Sequence, residues 1–361
     1  MKKLEYITTL RALAILLVVM VHIGIVSNGV SYLHPFITSI ITNGARGVQL
    51  FYILSAFTLF LSFHHRNKEK RPITNYFIRR FFRIAPLFYV AIIYYLWQNG
   101  IGPRYWLGDA THISTENIVS TATFLNGFNP YWINSIVPGG GSVAIEVVFY
   151  CLLPFLFHRI KNIQQACGFT LFTLCLRFIL NFFLAHHVLI TDGRLWNEYL
   201  FLYLPNQLPV FSLGIVLYFL IYDNTAIKFS YKFLFTSSTV ILLGLAIAAP
   251  AFIDGIFYFG IVFLIFAYAL SRYHPRTLFN PVLLYIGKIS YTIYLTHWAA
   301  IYLLTKYKIL NLILSHNEVT AILNFATNYV MVLSLSIGLS TVLYYTIESP
   351  MQNVGKRLII K

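Results

Sequence analysis

The sequence predicts an all-α, polytopic integral membrane protein with about ten transmembrane helices and both termini in the cytoplasm. Three observations carry this. Of 361 residues, 58% are hydrophobic and only 10% are charged, whereas a soluble domain has about a quarter of its residues charged. The apolar residues fall in blocks of roughly 20, the length that spans a bilayer as a helix. Lysine and arginine gather in alternate connections, as orientation in a membrane requires. The mean hydropathy of +0.71 agrees.

In chain order, the predicted spans are 7–27, 46–63, 82–98, 142–158, 166–187, 198–222, 232–250, 254–271, 284–304 and 324–347. The first contains "ITTLRALAILLVVMVHIGIV" and reads as a permanent span, because Arg11 interrupts its apolar run and no small-x-small cleavage site follows. Pro205 and Pro209 are expected to bend the sixth, since each removes a helix donor. The longest connection, Asn99 to Gly141, is rich in Gly, Asn, Pro and aromatics and is expected to pack as a cap or a partly re-entrant element.

With the N-terminus inside, the cytoplasmic side collects Lys2, Lys3, the "RNKEKR" run at 66–71, Arg79, Arg80, Arg83, Arg159, Lys161, Lys228, Lys232, Arg272, Arg276, Lys356, Arg357 and Lys361. The outer side holds Arg46, Arg104, Arg194, Lys306 and Lys308. Most of the net charge of +15 is therefore topology, and no nucleic-acid partner follows from it. Cys151, Cys167 and Cys175 are odd in number and lie in or beside apolar spans, so they predict neither a disulfide framework nor a metal site. No repeat or soluble segment is evident, and 1–361 reads as one membrane-embedded domain.

Ionisable residues inside a span cost on the order of 2.5–3.5 kcal/mol each and usually face a protein interior. Arg11 and His22 share the first span and are eleven residues apart, about three turns and roughly 16 Å in depth on one helix face. Alone, Arg11 reads as an arginine snorkelling to the inner interface and His22 as a satisfied core histidine. Together on one stripe they favour function. In "YFIRRFFRIAP", Arg80 and Arg83 share a face at i, i+3 and enter the third span from the cytoplasm. Orientation alone accounts for arginines there, but a guanidinium fork already within apolar sequence suits phosphate oxygens.

In "PGGGSVAIEVVFYCLLP", Glu146 falls about one turn below the outer surface, close to the depth inferred for His22. An outer-half carboxylate can orient a histidine tautomer and support its imidazolium, or pair structurally with an arginine. Arg46 lies at the outer mouth of the second span, and Ser55 near its middle reads as a helix-packing residue. His297, in "ISYTIYLTHW", is a candidate second polar group of a cavity, and Glu348 reads as structural. No Gly-rich phosphate loop, GxSxG or HExxH occurs.

These residues, taken in order, resemble the membrane acyltransferase family 3. The resemblance rests on Arg11 with ten residues before His22, "GVQLFYILSAF", "RRFFR" before Ile-Ala-Pro, "SVAIEVVFY" with Pro154, "IGKISYTIYLTHW" and "IESP". Ala56 stands where a Gly is usual in that family, and Gly141 where a Trp is usual. The resemblance implies O-acyl transfer, usually of acetyl, from cytoplasmic acyl-CoA to a carbohydrate hydroxyl outside a bacterial cytoplasmic membrane. Expected acceptors are O-antigen or other lipopolysaccharide sugars, exopolysaccharide, peptidoglycan or a lipid-linked glycan. Ending soon after its last span, the chain is expected to be a stand-alone member without the hydrolase-like domain some members carry.

On this reading His22 is the general base and Glu146 its support, while Arg11, Arg80 and Arg83 hold the nucleotide or pantetheine part of acetyl-CoA. Arg46, Ser142 and His297 are expected on the substrate path. Acyl-CoA is expected as a co-substrate, with no permanently bound cofactor or metal. The competing class is a secondary transporter or flippase, which also keeps charged residues near the midplane. No pair of corresponding interrupted segments supports that class.

Overall fold

A computed structural model describes residues 4–222, 230–248 and 255–359. The described residues form helices and turns, with no strand among them. Lys2, Lys3, Lys228 and Lys361, expected on the cytoplasmic side, lie outside them, as do residues 249, 250 and 254 of the predicted seventh and eighth spans.

The helices are α1 (Glu5–Val26), α2 (Pro35–Asn43), α3 (Gly47–Arg66), α4 (Pro72–Asn99), α5 (Thr115–Ala122), α6 (Gly140–Arg159), α7 (Ile163–His186), α8 (Gly193–Leu202), α9 (Leu204–Tyr222), α10 (Tyr231–Ala248), α11 (Gly255–Arg272), α12 (Pro281–Lys288), α13 (Ser290–Lys306), α14 (Glu318–Leu343) and α15 (Ser349–Arg357). Seven helical stretches among the described residues are long and apolar enough to cross a membrane: α1, α2–α3, α6, α7, α8–α9, α11 and α14–α15. The other predicted spans fall on α4, α10 and α12–α13. Arginines and tyrosines dilute the apolar character of α4, the shorter apolar stretch of α10 is Tyr231–Gly244, and α13 has 17 residues.

Two predicted spans are broken helices. The sixth divides at Tyr203 into α8 and α9, where φ −60° and ψ 155° are extended backbone. Pro205 falls in the first turn of α9, where a missing N–H costs nothing, and Pro209 lies inside that helix. The ninth divides at Ile289 into α12 and α13.

The chain forms two compact units. One comprises 1–54 and 224–344, and α1 is its axis, packed against α2, α11, α12, α13 and α14. Ile15, Val18, Val19 and Ile23 of α1 are buried with Ile286, Ile293, Ala300 and Val332. Between membrane helices there is no water-driven burial, so contact depends on close approach and a few interhelical hydrogen bonds. Glycines supply the approach. A Cβ on Gly287 of α12 would lie 1.8 Å from the Thr8 carbonyl oxygen of α1. One on Gly47 would lie 2.4 Å from that of Ala14. Hydrogen bonds add register: Tyr329 donates to the Leu16 carbonyl at 3.1 Å, and Thr296 and Ser340 hydroxyls meet at 2.8 Å.

The other unit comprises 55–223 and 345–361. Here α7 packs on α9, α6 on α9, and α15 on α4. Phe149 stacks on Phe211 with ring centroids 4.2 Å apart. Leu171, Phe172, Phe178 and Ile179 of α7 are exposed, the character of a face that meets lipid.

The segment between α4 and α6 folds as a connected cap. It contains α5 and two short 3₁₀ turns. Arg104 ties it together, donating to the Gly100 carbonyl at 2.6 Å and the Ser135 carbonyl at 3.0 Å. Asn126 donates to the Ile133 carbonyl at 3.0 Å, and Asn134 accepts from the Gly141 amide at 3.0 Å. This last bond explains Gly141. A Cβ there would sit 2.3 Å from Ile133 Cγ1 and 2.9 Å from the Ile133 carbonyl oxygen, so a larger residue has no room.

Candidate active site

His22 sits on the last third of α1 and His297 in the middle of α13, both in the unit built around α1. His297 Nε2 and His22 Nδ1 are 2.9 Å apart, and the two rings lie within 19° of parallel. The indole of Trp298 lies 4.7 Å from the His22 ring. The direction of the bond follows from the far end. His297 Nδ1 is 3.1 Å from the Ile293 carbonyl oxygen, which can only accept, so Nδ1 carries the proton. Neutral His297 then offers Nε2 as acceptor, and His22 must donate from Nδ1. The lone pair of His22 is left on Nε2, which has no hydrogen-bond partner among the described residues. An imidazole held in one tautomer with a bare Nε2 can take a proton.

Glu146 lies on α6, in the other unit. Two hydroxyls donate to its Oε1: Ser55 from α3 at 2.5 Å and Tyr150, one turn along α6, at 2.6 Å. Both bonds are charge-assisted and short. Oε2 has no such partner among the described residues, so the carboxylate presents one held and one open oxygen. Ser55, expected as packing, is a ligand of this carboxylate. Its role was hidden because its partner is 91 residues away in sequence.

The arginines of α4 separate into two kinds. Arg79 is paired, donating to Glu69 at 3.0 Å. Arg80 lies over the Tyr76 ring at 5.9 Å, and its Nε is buried without a hydrogen-bond partner among the described residues. The Tyr76 hydroxyl donates to the Tyr150 carbonyl at 3.2 Å. A linked set thus runs from Arg80 through Tyr76 and Tyr150 to Glu146. Arg83 is half-buried on the same helix.

Arg11 is half-buried on α1. Arg46 places its guanidinium 5.7 Å from the Phe259 ring centroid. Ser142 is buried in the first turn of α6, its amide donating to the Gly139 carbonyl at 3.1 Å. Glu348 is buried and accepts from Gln352 at 3.0 Å, in keeping with a structural part. One further arginine escaped motif reading. Arg177 of α7 donates to Asn206 of α9 at 2.5 Å, and Asn181 joins them. No local pattern marks it, since its amide partner comes from another helix.

Residues 4–345 match the family described as an acyltransferase domain. The chain belongs to that family. This acyltransferase is also similar to the protein named "Putative acetyltransferase ORF330" of Acidianus two-tailed virus. The two are 26% identical over 273 residues, which is 72% of this chain and 74% of the viral protein. No solved structure matches the acyltransferase. It is a multi-pass membrane acyltransferase.

Proposed function

We propose that this acyltransferase moves an acetyl group from cytoplasmic acetyl-CoA to a hydroxyl of a cell-surface carbohydrate. We place it in a bacterial cytoplasmic membrane with ten spans and both termini inside. The observation that carries the reading is the His297–His22 pair with its open Nε2. In this scheme His22 Nε2 takes the proton from the acceptor hydroxyl as its oxygen attacks the thioester carbonyl carbon. The tetrahedral adduct collapses with cleavage of the C–S bond. The CoA sulfur then takes the proton back from the imidazolium, leaving an ester and free CoA. His297 supports the cation formed midway, because its neutral Nε2 accepts from His22 Nδ1. Glu146 is the carboxylate proposed to stabilise that charge, with Ser55 and Tyr150 as its positioning residues.

Arg80 and Arg83, with Arg11, are proposed to hold the phosphate and pantetheine portions of acetyl-CoA. The buried Nε of Arg80, with no carboxylate paired to it among the described residues, fits that part better than the Glu69-paired Arg79 does. Arg46, Ser142 and His297 are proposed along the substrate path. No metal or resident cofactor is required by this scheme.

The deciding experiment is acetyl-CoA-dependent release of free CoA by the purified protein with de-esterified surface polysaccharide as acceptor. His22→Ala is expected to lower the rate by about 10²–10⁴ through loss of the base. Near-native CoA release and polysaccharide acylation by that variant would overturn the mechanism.

A further inference from the structure

Three cavities lie side by side on the cap segment between α4 and α6. The largest, about 680 Å³, is lined by Glu116, Val119, Phe128 and Trp132 among others. A second, about 410 Å³, shares Trp132 with it and adds Asp109, His112, Asn117 and Tyr131. The third, about 430 Å³, shares Asp109 with the second and extends to Arg104, Tyr105 and Asp192. Trp132 and Asp109 thus join the three into one trough. All the lining residues belong to one compact unit.

Asn117 makes the trough more than a surface irregularity. Its side chain is fully buried, and its Oδ1 accepts from Ser135 at 3.0 Å, yet its Nδ2 is buried with no hydrogen-bond partner among the described residues. Turning the amide over would satisfy one atom and strand the other. A buried amide group left unpaired costs on the order of 1–3 kcal/mol, and this one belongs to a residue of the second cavity's wall. The remaining lining is of two sorts. Trp132 and Tyr131 offer aromatic faces, while Asp109, His112 and Glu116 offer hydrogen-bonding groups along the edges. Flat apolar platforms flanked by carboxylates and amides match sugar rings, which have apolar C–H faces and a belt of hydroxyls. A lipid tail would leave those polar groups unanswered. Three cavities in a row suit several linked rings better than one.

We propose that this trough binds an extended glycan and is the docking site of the carbohydrate acceptor. The proposal rests on the acceptor reading above and names the segment that recognises the acceptor.

The test uses the full-length protein in nanodiscs and, as probe, surface polysaccharide of the expressing cells stripped of esters with mild alkali. Wild-type protein should bind it. Trp132→Ala should weaken binding about tenfold, the scale of one lost aromatic contact. Asp109→Asn should weaken it as well, whereas Trp132→Phe should retain most of the affinity. The acetyl-CoA dissociation constant should stay unchanged in all three, which reports a folded protein. No binding by the wild type, or the same affinity in Trp132→Ala and Asp109→Asn, overturns the proposal. Binding through the trough without CoA release would keep this inference and sink acyl transfer to that acceptor. CoA release with unaltered affinity in both variants would do the reverse.

Discussion

Two hydroxyls on one carboxylate oxygen are an unusual expense inside a membrane protein unless the carboxylate must stay in one place. Each charge-assisted bond is worth roughly 1.5–3 kcal/mol, and both fall on Oε1 of Glu146. Ser55→Ala and Tyr150→Phe should therefore lower kcat for acyl transfer, with acetyl-CoA binding unchanged. The double variant should lose more than the sum of the two single losses, because either hydroxyl alone still fixes the same oxygen. Kinetics on the four proteins check this, and equal kcat throughout would make the hydroxyls mere packing. Arg80 allows a sharper distinction. Arg80→Lys keeps the charge and loses the fork, so acetyl-CoA affinity should fall about ten- to hundredfold if the guanidinium holds phosphate. The same change at Arg79, which is paired with Glu69, should leave that affinity alone. Titration of acetyl-CoA against both variants separates phosphate binding from orientation. At this scale the sequence marked which residues were costly: Arg11, His22, Arg80, Arg83 and Glu146 all stand out from apolar surroundings. It did not mark their partners. Ser55 and Tyr150 are ordinary residue types in a membrane helix, and only a hydrogen bond to Glu146 distinguishes them.

Helices α1 and α12 approach so closely that the interface admits no side chain at Gly287, where a Cβ would fall 1.8 Å from the Thr8 carbonyl oxygen. Gly287→Ala should force the two helices apart and lower thermal stability in detergent, on the order of 1–3 kcal/mol for overpacking. Gly338→Ala, where nothing lies within 4 Å of the added Cβ, is the matched control and should not destabilise. Equal melting temperatures for the two would refute the close-approach argument. Element type was legible because the apolar blocks are long and the prolines few. Breaks were less legible, and proline marked only the neighbourhood of one. Pro205 and Pro209 led to an expected bend in the sixth span, which instead divides just before them at Tyr203, and the break at Ile289 between α12 and α13 carries no proline or glycine at that position.

For the molecule as a whole, the proposed topology is open to direct test. In a background with Cys151, Cys167 and Cys175 replaced, a cysteine at position 105 should react with a membrane-impermeant maleimide from outside. One at position 161 should react only after the membrane is opened. The reverse pattern would invert the depth assigned to every site residue and remove the trough from the acceptor side. The sequence by itself determined the class of the molecule. Hydrophobic blocks of bilayer length force helices, because backbone groups in lipid must be satisfied within the segment. Its ordered motifs also reached the acyltransferase family. The tertiary structure alone decided which polar groups meet. It joined His22 to His297, 275 residues apart, and Glu146 to Ser55. It paired Arg79 while leaving Arg80 Nε without a hydrogen-bond partner among the described residues, and brought Trp132 and Asp109 of the α4–α6 segment to the walls of neighbouring cavities. The physical reason is the range of the forces involved. Hydropathy is a local sum that can be read along the chain, whereas a hydrogen bond needs two atoms within about 3 Å, and that proximity exists only after the helices have packed.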